Sequence, residues 1–247
     1  MDFIAAEDTR VTVKLLNHLG IKKEMLSYYE HNKNAKGNLI IDRLLAGENC
    51  AVVSDAGMPA ISDPGEDLVR LCHEKGISVE SVPGPSAVIT ALAISGMPSG
   101  RFCFEGFLSV NKISRRQHLE DIKNEKRTLI FYEAPHKLMA TLQDFLSYLG
   151  DRELAVVREL TKIHETVLRT TIKGAIEHFE NNPPKGEFVL ILAGKTEEVK
   201  EYTLEDALAI AKRLIDEGQS TSAAAKEASS VTGIKKGEIY NGCLKKL

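Results

Sequence analysis

The sequence predicts an α/β fold built as two successive α/β domains with a small helical module after them. Three observations carry this. Short apolar runs alternate with amphipathic stretches through residues 1–98, a Gly/Pro-containing junction at 95–101 leads into a second set of strands, and helical spacing takes over after Gly194. Buried strands alternating with helices indicate a mainly parallel sheet. The boundaries are 1–98, 99–198 and 199–247.

Each element has its own signal. Residues 3–6 read as a strand, and Asp8 caps a helix carrying Val11, Leu15, Leu16 and Leu19 that Gly20 ends. Residues 25–28 read as a strand, 39–45 as a helix and 50–54 as a nearly continuous apolar strand. Pro64 and Gly65 open a helix through Leu68, Val69 and Leu71 that closes at Gly76. A strand at 79–82 leads through Pro83-Gly84-Pro85-Ser86 into an apolar helix. The second unit has strands near 128–132, 154–157, 167–171 and 188–192. Only about nine residues separate Val157 from Val167, too few for a crossover of a dozen or more, so these strands pair antiparallel. In the tail, Thr203 and Asp206 form a capping box ahead of Leu204, Leu208, Ala211 and Leu214, and Gly218 closes that helix. Segments 221–229 and 235–244, separated by Thr232-Gly233, complete a helix-turn-helix-like module of three helices.

Composition excludes several classes. With 43% hydrophobic and 27% charged residues the chain is an ordinary globular protein, and a net charge of −3 argues against an all-over basic surface while allowing a local patch. Cys50, Cys72, Cys103 and Cys243 form no CxxC pair, which speaks for a reducing cytoplasm and against a disulfide framework or a metal site. The longest apolar stretch, 87–94, is too short to cross a bilayer, so no membrane role is expected. Asp2, Glu7 and Asp8 stand where a signal peptide would be positive.

Two loops carry the chemistry. Ser54-Asp55-Ala56-Gly57-Met58-Pro59-Ala60-Ile61-Ser62-Asp63-Pro64-Gly65 follows a buried strand and runs to a helix N-terminus, the place where open α/β sheets bind ligands. Ala56 and Gly57 let a ligand approach the backbone, and Asp55 accepts hydrogen bonds or faces a cation. The same residues also fit a plain strand-to-helix turn capped by Asp63. Val82-Pro83-Gly84-Pro85-Ser86-Ala87 again follows a strand and opens a helix, with Ser86 placed as N-cap or simply as part of a rigid turn. Two such loops at successive strand ends favour a shared pocket.

With these loops, four further motifs carry a resemblance: Ala5-Ala6-Glu7-Asp8-Thr9-Arg10, Ser27-Tyr28-Tyr29-Glu30-His31-Asn32, Tyr132-Glu133-Ala134-Pro135-His136-Lys137 and Arg158-Glu159-Leu160-Thr161-Lys162-Ile163-His164-Glu165. Together with Gly186-Glu187-Phe188-Val189-Leu190-Ile191, they resemble, in order over residues 2–194, the ribosomal RNA small subunit methyltransferase I family of tetrapyrrole methylases. The resemblance implies S-adenosylmethionine held in a cleft between two α/β domains, a homodimer, and methyl transfer to the ribose 2′-hydroxyl of a cytidine in 16S ribosomal RNA, as naked RNA or as the assembled small subunit. It implies that Asp55, Ala56, Gly57, Met58, Ile61, Pro83, Gly84, Ser86 and Ala87 hold the cofactor from one side, with Leu160 and Ala193 closing from the other.

A ribose hydroxyl is a poor nucleophile at neutral pH, so a base or acceptor contributes ~10²–10⁴-fold. Lys162 and Glu133 are the candidates, Lys162 because burial beside other cations lowers an ammonium pKa. An ion pair of Lys162 with Glu159 or Glu165 is the plainer reading. Arg10, Glu30, His31, Arg115, Arg116 and His136 are candidate substrate contacts, although Glu30-His31 also fits a solvated turn. The window 111–127 sets six cations against three acids, and Lys226, Lys235, Lys236, Lys245 and Lys246 dot the tail, but charge runs are usually solvated faces. Members of the resembled family usually carry a further apolar strand, a Thr-Pro-Ile-Gly-Asn-Leu-like loop and a helix ahead of the strand that here starts at Asp2. The expectation is that this first β-loop-α unit is missing and that cofactor binding suffers for it. Two other readings compete: a methyltransferase of the same superfamily acting on a tetrapyrrole or diphthamide precursor, and a helix-turn-helix regulator that senses a nucleotide.

Overall fold

Phe3, Ile4, Ala5 and Ala6 are all buried, because the strand they form, β1 (Phe3–Ala6), lies at the centre of a parallel sheet between β2 (Glu24–Ser27) and β3 (Cys50–Val53). These and all other details come from a computed structural model that describes residues 1–196 and 202–245; Lys246 and the side chain of Lys245 lie outside the described residues. Asp8 accepts from the Arg10 backbone N–H and caps α1 (Thr9–His18). Of the apolar residues expected to anchor that helix only Leu16 is buried, against Ile4 and Ala6, while Val11, Leu15 and Leu19 are exposed. The opposite face of the sheet is better covered. There α2 (Lys33–Leu45) and α3 (Glu66–Glu74) pack Ile40, Ile41, Leu68 and Cys72 on Phe3, Ala5 and Tyr28. α2 begins six residues earlier than its apolar spacing suggested, since its first turns are polar.

The expected strand at 79–82 is a correction. The segment carries no ladder hydrogen bonds among the described residues, and Val82 is exposed. β-propensity needs a neighbouring strand to become a ladder, and β3 pairs on one side only, with β1.

The second sheet has the order β4-β5-β8-β6-β7, formed by β4 (Phe102–Phe107), β5 (Thr128–Glu133), β6 (Glu153–Arg158), β7 (Thr166–Thr171) and β8 (Phe188–Leu192). β4 runs parallel to β5, and β8 is antiparallel to both β5 and β6. β6 and β7 pair antiparallel, as their short connection requires. One face is covered by α5 (Lys112–Ile122), α6 (Leu138–Leu149) and α7 (Ile172–Asn181), around Phe131, Phe145 and Leu190. Each side chain of this size fully buried contributes roughly 1.5–3 kcal/mol. The other face takes α4 (Ala87–Ser95), whose Val88, Ala91 and Leu92 meet Ile130, Ala155, Val157 and Ile191. Arg169 of β7 donates to the carbonyls of Ile94 and Ser95 and fixes the end of α4. A helix that follows the first sheet in sequence thus packs on the second, and residues Met1–Lys195 form one compact unit.

Thr196–Leu247 form the other unit. Within it α8 (Leu204–Asp216), α9 (Thr221–Thr232) and α10 (Lys236–Lys245) close on a core of Ala207, Ala211, Ala224, Ala225, Ala228 and Ile239. Thr203 and Asp206 make the expected capping box, and Gly233 ends α9 with φ 73°.

Candidate active site

The carboxyl ends of β1, β3, β5 and β6 open onto one cleft of about 580 Å³. Glu7, one residue beyond β1, accepts through one carboxylate oxygen from the Asp55 backbone N–H at 3.1 Å, which ties the loop after β3 to the end of β1. Gly57 stands at φ 80°, and a Cβ there would lie 3.2 Å from the Pro85 carbonyl oxygen, so the loops 54–65 and 82–87 are packed on one another. Ala60 and Ser62 adopt left-handed backbone without being glycine, as do Glu159 and Thr161 on the facing wall. Such conformations cost of order 1–3 kcal/mol each and concentrate at functional sites.

The facing wall is a clasp between two loops. Glu159 accepts from the Glu187 backbone N–H at 3.0 Å and from Lys162 Nζ at 3.1 Å, and its own N–H donates back to the Glu187 carbonyl. Gly186 is required here, because with φ 80° a Cβ would overlap the Glu159 side chain at 2.6 Å. The Glu187 N–H and Lys162 ammonium hold the Glu159 carboxyl below its ordinary value, and Glu159 raises Lys162 above 10.5. Tyr132 and Glu133 end β5 at the cleft. Glu133 is 4% exposed; one oxygen accepts from the Ala134 N–H and the other from Thr141 Oγ1, which in turn accepts from Arg115 Nη2 at 2.9 Å. Burial, reinforced by Glu7, pushes the Asp63 carboxyl up on the first wall. The cleft therefore combines small-residue backbone, apolar surface from Met58, Leu160 and Phe188, and several carboxylates. That donor set suits an elongated, partly apolar ligand with a cationic part.

A family model described as tetrapyrrole (corrin/porphyrin) methylases matches residues 1–176. Relatives called ribosomal RNA small subunit methyltransferase I match along almost the whole chain. The one from Synechocystis sp. is 46% identical over 97% of this chain and 87% of its own length, and the one from Escherichia coli O157:H7 is 41% identical over 99% and 86%. The chain belongs to this methyltransferase family. Solved tetrapyrrole methylases share the fold at low identity. Cobalt precorrin-4 methyltransferase superposes with TM-score 0.53 at 20% identity, over 77% of this chain and 83% of that one. A uroporphyrin-III C-methyltransferase from Thermus thermophilus, complexed with S-adenyl homocysteine, gives 0.51 at 17%, over 78% and 85%.

In this methylase, Asp55, Ala56, Gly57, Met58, Ile61, Ser86, Ala87 and Leu160 line the cleft, as do Lys162 and Glu133. Pro83 and Gly84 are not among the residues lining it; a Cβ on Gly84 would meet Met58 Sδ at 3.4 Å. Ala193 is a correction. β8 runs antiparallel to β5 and β6, so its first residues, Phe188 and Val189, face the cleft, and Ala193 lies at the far end, bonded to the Glu153 carbonyl. Lys162, with its side chain 54% exposed, takes the plainer arrangement, an ion pair with Glu159, joined by Glu187, and these carboxylates raise its ammonium pKa. Asp63 does not cap α3, whose N-cap position is Gly65, and Ser86 makes no side-chain capping bond.

The substrate candidates do not line the cleft. Arg10 binds Asp8 through a fork of hydrogen bonds and borders a second concavity next to it. Glu30 pairs with Lys33 at 2.8 Å, and the His31 ring meets Tyr29 edge-on. Arg115, 15% exposed, is turned inward to Asp144 and Thr141, whereas Arg116 and His136 are exposed. Glu7, Asp63, Thr90, Phe107, Tyr132 and Glu187 also line the cleft and were missed from the sequence. Glu7 had a signal, a position just past the carboxyl end of a legible strand, whereas Phe107 ends a strand the sequence did not reveal.

Proposed function

We propose that this chain transfers a methyl group from S-adenosylmethionine to small-subunit ribosomal RNA, at the ribose 2′-hydroxyl of a cytidine. The observation that carries the reading is the cleft, walled by the packed loops 54–65 and 82–87 on one side and the Glu159–Glu187 clasp on the other. Its volume lies in the range of small-molecule sites. The names of the relatives, at 41–48% identity, support the RNA acceptor.

When bound, S-adenosylmethionine supplies a methyl group on a good leaving group, a sulfonium. The chain's part is to hold and align. Gly57, Ala56 and Ala87 leave room for close backbone approach, and Asp55 and Asp63 offer carboxylates to positive charge. Glu133 lines the cleft with one oxygen held by the Ala134 N–H and the other by Thr141, and the second lone pair of each oxygen is left to accept from the ribose hydroxyl and draw its proton away. Lys162 acts as a charged donor that orients the acceptor strand. Alignment of this kind supplies much of the acceleration of such a transfer. The homodimer belongs to the same proposal, supported by the exposed Val11, Val13 and Leu15 of α1 and Leu19 at its C-cap. Calorimetry with S-adenosylmethionine tests the cofactor, and tritiated methyl transfer to small subunits lacking the modification tests the acceptor. Absence of both overturns the reading.

A further inference from the structure

A second concavity, of about 410 Å³, opens beside the cleft at the carboxyl ends of β1 and β2. It is lined by Glu7, Asp8, Thr9, Arg10, Ser27 and Tyr29, and Glu7 belongs to both spaces. A group seated in one is therefore next to a group seated in the other.

Its chemistry is specific. Tyr28 is buried under the sheet, but Tyr29, one residue on, is 41% exposed. The turn that presents Tyr29 is fixed by Asn32, whose Oδ1 accepts from the Tyr29 N–H at 2.9 Å and whose Nδ2 donates to the Ser27 carbonyl at 3.1 Å. An exposed ring on a fixed turn is a stacking platform. Two carboxylates, Glu7 and Asp8, face one cation, Arg10, so the concavity is acidic on balance and unsuited to a phosphate. Asp8 is committed, since both its oxygens accept from Arg10 and hold its carboxyl at about 2. Glu7 uses one oxygen for the Asp55 N–H, which leaves the other to accept from a ligand. A ring and a carboxylate acceptor lining one concavity suit a nucleobase bearing an exocyclic amino group. Among pyrimidines it fits cytosine, which has an N4 amino donor, and not uracil, which has an O4 acceptor there.

We propose that this concavity reads the base of the acceptor nucleotide, with Tyr29 stacking on it and Glu7 accepting from its amino group, while the attached ribose reaches the cleft across Glu7. The proposal rests on the RNA-methyltransferase reading above. Sequence-specific recognition of RNA commonly takes an unstacked base onto an aromatic side chain and hydrogen-bonds its edge.

The test uses the full chain, tritiated S-adenosylmethionine and unmodified small subunits, with the accepting nucleotide mapped and then changed between cytidine and uridine. The wild type should prefer cytidine by about tenfold or more in kcat/KM, the worth of one hydrogen bond to a charged group. Glu7→Gln, whose amide can donate to O4, should bring the two substrates within about threefold. Tyr29→Ala should raise KM for the subunit about tenfold and Tyr29→Phe should not, because stacking needs the ring and not the hydroxyl. Calorimetry with S-adenosylmethionine shows that each variant is folded and loaded. A uridine acceptor, an unchanged cytidine preference in loaded Glu7→Gln, or an unchanged KM in Tyr29→Ala overturns the inference and leaves the methyltransferase reading standing. No transfer to any subunit by the wild type overturns that reading and this inference with it.

Discussion

Lys162 shows how neighbours decide what a side chain can do. A lysine becomes a base when burial or nearby cations lower its pKa, but this one is half exposed between Glu159 and Glu187 and is raised instead. Glu159 is the mirror case, lowered below 4.5. Lys162, raised, contributes fully below 10.5, and its contribution goes only as pH rises through its higher folded value. Glu159, lowered, contributes above 4.5, and its share goes only as pH falls through its lower folded value. The clasp is thus intact across the neutral range. Lys162→Met should cut methyl transfer by about 10²-fold, as loss of one charged donor does, and leave cofactor affinity nearly unchanged. Its pH profile between 7 and 10 should keep the wild-type shape, and a step that disappears with Lys162 would show it to be a base after all. Gly57 and Gly84 make a second paired test. Gly57→Val meets both a left-handed φ and the Pro85 carbonyl, whereas Gly84→Val meets only the end of the Met58 side chain. Calorimetry should show a loss of S-adenosylmethionine affinity of at least about tenfold, ~1.4 kcal/mol, for Gly57→Val and a smaller loss for Gly84→Val.

At the scale of elements, α5 has two faces that charge counting merges. Arg115 points inward to Asp144 and Thr141, and through Thr141 supports Glu133, while Lys112 and Arg116 are exposed. Replacing Lys112 and Arg116 with Ser should flatten the salt dependence of RNA binding by roughly 1.5 in the log–log slope, if each meets one phosphate. Arg115→Ser should leave that slope alone and lower methyl transfer instead, and equal slopes for all three proteins would make α5 a solvated face. Gly194 tests the seam after β8. A Cβ there would lie 2.0 Å from the Lys126 carbonyl oxygen, so Gly194→Ala should destabilise the chain by about 1–3 kcal/mol, read as a lower denaturant midpoint. The same scale shows what sequence can reveal. β1 and α1 were legible because an apolar run ends two residues before a capping Asp8. β4 was missed because Gly106, at φ 63°, breaks its pattern where the pairing register with β5 shifts. The expected strand at 79–82 had the composition of a strand and no partner.

For the whole molecule, the site is a product of topology more than of any one motif. Both loops of the first wall of the cleft were legible as loops, because each follows a run of apolar residues and opens a helix. The opposite wall was only half legible. Nothing in the apolar run at β8 says which way it runs, so Ala193 was chosen where the antiparallel strand in fact brings Phe188 and Val189. The packing of α4 on the second sheet was equally invisible, since its apolar residues suit any partner, yet this helix carries Ser86 and Ala87 to face Leu160. The central claim, that these two walls hold S-adenosylmethionine against small-subunit RNA, is tested most directly by single-turnover transfer. The full chain is loaded with tritiated S-adenosylmethionine and mixed with small subunits lacking the modification, and the labelled nucleotide is then mapped. One ribose 2′-oxygen, on a cytidine, should carry the label, and Gly57→Val should lose it. Label on a base carbon or nitrogen, on ribosomal protein, or on no component of the subunit would contradict the claim.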